Sequence, residues 1–180
     1  MSHVLKQTLD NVVQLFEQKP EKALFSYEAE TEFGEDLAIK AKAQQFEFHF
    51  DQLKEWGGNS DFPTPEEYSL AALGACHSIV FRILALKEDI ALDGIRVNLS
   101  GSSDTRGFFN TDPAVRPGFQ SIKFKTSVDS DAPAEKLREI FQKVEQLCPV
   151  NDIIANPVPI TRKIAIQNSE GKTINISHLN

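Results

Sequence analysis

The 180-residue sequence predicts an α+β fold, because strand-like and helix-like segments follow in the order strands, helix, strands, helix, strand. Two local patterns define those segments. Period-two alternation marks strands, as where Phe46, Phe48 and Phe50 alternate with Gln45, Glu47 and His49 and put their rings on one sheet face. Helical spacing marks helices, as where Leu137, Ile140, Phe141, Val144, Leu147 and Cys148 form one apolar stripe.

Along the chain, residues 1–20 predict an amphipathic helix, with Leu5, Leu9, Val12, Val13 and Phe16 on one face. A main domain over 21–168 begins with strands at 23–33, 36–43 and 46–50, then a turn at Trp56–Ser60. Thr64, Pro65 and Glu67 then spell a helix start: a capping hydroxyl, a proline at the first helical position and a capping-box glutamate. That helix runs to about Glu88, and Asp93–Gly94 turns it into a strand over 95–100. Residues 102–118, rich in Gly, Pro, Asp and Asn, predict a long loop of the kind that often carries function. A strand over 119–128, a helix after Asp131 and a strand over 160–166 complete the domain. The tail over 169–180 is expected to hang loosely, with Ile174 and Ile176 available to a sheet edge.

Composition narrows the function. A 41% apolar content with thirteen Phe supports a core that is largely aromatic. The net charge of -7 argues against sequence-independent nucleic-acid binding, which needs a basic surface. No charge-free apolar run of about 18 residues predicts a membrane span. The N-terminus lacks the basic head and unbroken apolar block of a secretory signal, so the expected compartment is the cytoplasm. In such a reducing setting, the two cysteines are more readily catalytic or redox-active than structural. Their separation, without Cys-x-x-Cys or clustered histidines, predicts no metal site.

Cys76 stands mid-helix among Ala71, Ala72, Gly74 and Ala75, small residues that let a second backbone approach. It is either a small core hydrophobe or a thiol presented to a pocket. Glu66 precedes it by ten positions, so it is about 80° off the Cys76 face at about 100° per residue. That puts Glu66 at the mouth of any pocket Cys76 lines, unless it serves only as a favourable charge at a helix N-terminus. Cys148 precedes Pro149, which breaks the preceding helix and can start a short new one reaching about Ala155. As N-cap of that helix, Cys148 is expected to have a lowered pKa, unless it merely completes the apolar stripe.

The stretch PTPEEYSLAALGACHSIVFRI resembles the NPEELLLAALGAC-like helix motif of the OsmC/Ohr family, the osmotically inducible and organic hydroperoxide resistance proteins. LCPVND with NPVPI resembles the family's second cysteine motif, and RGFF, VRPGF and VDSDAPAEKLREI are similar to one branch of it. The resemblance spans about Phe46 to Ile166. It implies an OsmC-like fold: antiparallel sheets around long central helices, in an intertwined homodimer. Residues 1–20 lie outside the resemblance, and their apolar face is expected to dock on the dimer surface. It also implies an antioxidant, oxidative-stress activity, the thiol-dependent reduction of organic hydroperoxides. On that reading Cys76 matches the peroxidatic cysteine, Cys148 the resolving cysteine and Glu66 the family's glutamate, and no cofactor is needed beyond an external dithiol reductant. The partners implied are a second copy, the hydroperoxide and that dithiol, with neither nucleic acid nor membrane.

One departure stands out. The family's peroxidases pair the glutamate with an arginine from the early strands, whereas here no arginine precedes Arg82. The corresponding stretch, KAKAQQFEFHF, offers Lys40, Lys42 and Gln44 or Gln45, and a lysine supplies charge without the planar guanidinium fork. Arg106 or Arg116, from the long loop, are the candidate replacements, and His77 is a candidate to tune Cys76 or a structural neighbour. Arg82, about 240° round the helix from Cys76, faces away. The missing arginine keeps open a small-molecule-binding dimer without full peroxidase activity; a purely structural dimer with inert cysteines is a third reading.

Overall fold

The computed structural model describes residues 2–169 and 171–177. Helix α1 (Ser2–Gln18) opens the chain, followed by strands β1 (Glu30–Phe33), β2 (Ile39–Ala43) and β3 (Phe46–Phe50). Helix α2 (Pro65–Lys87) leads to β4 (Gly94–Ser102), the short helix α3 (Thr105–Phe108) and β5 (Ser121–Asp129). Helices α4 (Ala134–Leu147) and α5 (Pro149–Ala155) and strands β6 (Lys163–Gln167) and β7 (Thr173–Ser177) complete it. The strands form three antiparallel sheets, β1–β2–β3, β4–β5 and β6–β7.

Helix α2 begins as its sequence dictates. The Glu67 N–H donates to Thr64 Oγ1 at 3.3 Å and the Thr64 N–H donates to Glu67 Oε2 at 2.8 Å, a complete capping box. The loop ahead of it is organised by Asp51, whose buried carboxylate accepts the N–H groups of Gln52 at 2.7 Å and of Asn59 and Asp61 at 3.1 Å each. These donors hold the Asp51 carboxyl below its usual pKa against the opposing effect of burial. The Phe50 ring then sits 4.6 Å from that of Tyr68 and Phe48 5.9 Å from it, so the first sheet leans on the start of α2.

The core lies where α2 meets α4 and β4–β5. Phe81 and Ala85 of α2 are buried with Ile140 and Val144 of α4, walled by Ile95 and Val128. Each fully buried large apolar side chain contributes roughly 1.5–3 kcal/mol, so this seam fixes the two helices relative to one another. Gly74 permits close approach to β4, since a Cβ there would lie 2.6 Å from Leu99 Cδ1. The described residues cover only one flank of α2. Ala71, Ala72, Ala75 and Ile79 on the other face solvent, Ile79 at 60%. By length and composition alone α2 is long and apolar enough to cross a membrane, although its charge-free run ends at Arg82. Its buried positions, however, are spent on the packing just described.

Other expectations need correction. The strand expected over 23–33 pairs only at Glu30–Phe33, because β2 is too short to partner more. The expected long loop contains α3, capped by Asp104, whose carboxylate accepts the Arg106 N–H at 3.1 Å. The strand placed at 160–166 lies at 163–167, and the supposedly loose tail returns as β7, with Ile164 opposite Ile176 and Ile166 opposite Ile174. His178–Asn180 of the tail lie outside the described residues.

Candidate functional site

Pro149 ends α4 and begins α5, so Cys148 caps both helices, as the sequence predicted. Its side chain is 1% exposed and lies against the Cys76 thiol of α2, which is half-buried. The fold therefore brings together two cysteines that are 72 residues apart in sequence, both reduced. The more accessible sulfur is Cys76.

The expected lowering of the Cys148 pKa is overturned. Burial raises it most; the N–H groups of Asn151 and Val150 at the start of α5 oppose this, and the neighbouring Cys76 sulfur adds to the rise. The helix-terminus effect is present, but desolvation between α2 and α4 outweighs it. Cys148 is thus held as a neutral thiol beside Cys76.

His77 does not serve Cys76. It is 3% exposed, turned into the core between the rings of Phe124 and Phe141 at 5.5 and 5.4 Å. Its Nε2 is 3.4 Å from Thr126 Oγ1, and burial lowers its pKa despite the charge of Glu145. A neutral ring on a different flank supplies no positive charge to a thiolate.

Glu66 is exposed in the first turn of α2 and has no ion-pair partner among the described residues. It borders a cavity of about 350 Å³ with Trp56, Phe108, Phe119, Gly101 and Gly118. Cys76 is not part of that wall. Ten residues at about 1.5 Å each separate the two groups by about 15 Å along the axis, so within one protomer Glu66 is not the mouth of a Cys76 pocket.

Of the loop cations, Arg106 is occupied. Its guanidinium binds Asp104, which raises its pKa, and reaches Asp112 at 3.3 Å, so that it is held on α3. Arg116 pairs with no carboxylate among the described residues, and its Nη2 reaches within 3.8 Å of where a Gly118 Cβ would stand, beside the Glu66 cavity. Lys40 pairs with Glu47 at 3.2 Å on the first sheet. The aromatic wall itself escaped the sequence reading: Trp56 stacks on Phe108 at 6.1 Å and meets Phe109 edge-on at 5.5 Å. Its only sequence signal is the aromatic pair Phe108–Phe109 inside a polar loop; Trp56 lies far away in the sequence and is brought to it by the fold.

Comparison with known proteins places this arrangement. The family model for OsmC-like protein matches residues 57–163, more than half of the chain, and so the chain belongs to the OsmC family. Solved structures agree on the fold. An OsmC-like protein from Mycoplasma pneumoniae superposes with a TM-score of 0.65 at 19% identity, over 74% of this chain and 89% of that one. An organic hydroperoxide resistance protein OsmC from Legionella pneumophila gives 0.57 at 17% identity, over 73% and 90%. One from Elizabethkingia anophelis gives 0.52 at 18%, over 74% and 91%. A search of curated proteins found no match.

Proposed function

We propose that the protein is a thiol-dependent peroxidase for organic hydroperoxides, with Cys76 as peroxidatic and Cys148 as resolving cysteine. The observation that carries the reading is the contact of a half-buried thiol with a fully buried one at the start of α5. The Cys76 thiolate attacks the distal peroxide oxygen; the O–O bond breaks, the alkoxide takes a proton and leaves as an alcohol, and Cys76 becomes a sulfenic acid. The Cys148 sulfur then displaces hydroxide, which leaves as water with the Cys148 proton, and a Cys76–Cys148 disulfide forms. An external dithiol returns two electrons and restores both thiols. No bound cofactor takes part, and the cytoplasm supplies the reducing setting.

The aromatic wall of Trp56, Phe108 and Phe119 suits an alkyl or lipid tail better than hydrogen peroxide. Because Glu66 and Cys76 sit about 15 Å apart along α2, a complete site needs a second protomer. The uncovered Ala71, Ala72, Ala75 and Ile79 flank of α2 and the exposed Tyr27 and Phe33 support an intertwined homodimer with α2 at its centre, of mass twice 20.1 kDa. Glu66 then orients Arg116, in place of the family's early arginine, toward the Cys76 thiolate.

Thiol titration before and after one equivalent of cumene hydroperoxide tests this. Two thiols per chain should disappear and return with a dithiol; Cys76→Ser should keep its remaining thiol, and Cys148→Ser should accumulate a trappable sulfenic acid. Retention of both thiols in the parent protein would instead favour the second reading, a ligand-binding dimer without full peroxidase activity. The occupation of Arg106 by Asp104 and Asp112 is the observation on that side.

A further inference from the structure

We infer that the cleft between α1 and the C-terminal end of α2 binds a small carboxylate carrying a short apolar tail. The cleft encloses about 610 Å³, with His3 and Lys6 of α1 on one wall and Arg82 of α2 on the other. It is separate from the thiol pair, because Arg82 is about 240° round the helix from Cys76. One wall also lies outside residues 57–163, where the family model matches, so the cleft belongs to this chain's own N-terminal helix.

The charges define the ligand. Lys6 is already paired with Asp89 across the cleft, which leaves that pair neutral. Arg82 is half-buried, and its one hydrogen bond among the described residues runs from Nη1 to the Leu92 carbonyl at 3.3 Å. Among the described residues it meets no carboxylate, in a chain whose net charge is -7. A guanidinium with its fork unfilled matches a planar carboxylate in two parallel hydrogen bonds, and one negative charge completes the balance. The floor then selects a tail over a bare anion. Leu86, 5% exposed, and the half-buried Ile90 and Leu92 line the same cleft with apolar side chains.

Isothermal titration of the full-length reduced protein with sodium octanoate tests the site. Expected are one saturable site per chain, binding of octan-1-ol at least about tenfold weaker, and loss of at least about tenfold in Arg82→Gln, the range for a charge-assisted hydrogen bond. Cys76→Ser should bind octanoate unchanged, which separates this site from the peroxidase reading. Octanoate should also slow amide exchange along α1 in the parent protein, a readout that does not depend on any variant folding. Absence of saturable binding, equal binding of the alcohol, undiminished binding by folded Arg82→Gln, or unaltered exchange in α1 would each overturn the proposal.

Discussion

Replacing Gly107 by Ala should dislodge the loop that carries Arg116. A Cβ at Gly107 would stand 2.6 Å from the carbonyl oxygens of Val115 and Arg116 and 2.7 Å from the Arg116 carbonyl carbon. Ordinary contact begins near 3.4 Å, so the chain must give by about 0.8 Å, and these are backbone atoms that cannot rotate away. Overpacking of this kind costs about 1–3 kcal/mol, and the immobility of the obstacle argues for about 2–3. For a chain of this length each kcal/mol lowers Tm by about 2–4 °C, which predicts a fall of about 4–12 °C. Gly118→Ala is the matched control. Its Cβ would meet only Arg116 Nη2, at 3.8 Å, and should change stability by less than about 0.5 kcal/mol. Thermal unfolding with a urea titration reads both variants. If Gly107→Ala were as stable as the parent, or if Gly118→Ala fell as far, the packing of α3 on residues 115–116 would be refuted.

Two further outcomes follow from the electrostatics. His77 is buried with a lowered pKa, so the unfolded chain binds the extra proton first as pH falls through 6.5; stability should drop below that value and be restored above it, and urea midpoints across that range should flatten in His77→Gln. Arg116→Gln should slow the reaction of Cys76 with cumene hydroperoxide by about tenfold in stopped-flow thiol assays, the effect of losing roughly one charge-assisted hydrogen bond, while Arg106→Gln leaves that rate within about twofold. Equal slowing in both variants would remove Arg116 from its assigned role.

Much of the architecture was legible because it is local. The capping box of Thr64 and Glu67 and the break at Pro149 depend on groups within a few residues of each other, and the stripe through Ile140 and Val144 depends only on the helical repeat. The pairing of Cys76 with Cys148 was readable only through resemblance to the OsmC family, since nothing in either segment specifies the other.

Tertiary structure decided the rest. Cys148 has the helix-terminal donors that its position predicts, yet packing between α2 and α4 removes it from water, and desolvation reverses the direction of its pKa shift. His77 sits next to Cys76 in sequence but belongs to the core, because adjacent helical residues diverge and β5 and α4 cover that flank. Arg106 and Arg116 are equivalent as letters in one loop; the fold of α3 places Asp104 and Asp112 around one and leaves the other beside the Glu66 cavity. Periodicity and caps act over one or two turns of chain, whereas burial and charge balance depend on whatever distant segment the fold brings alongside.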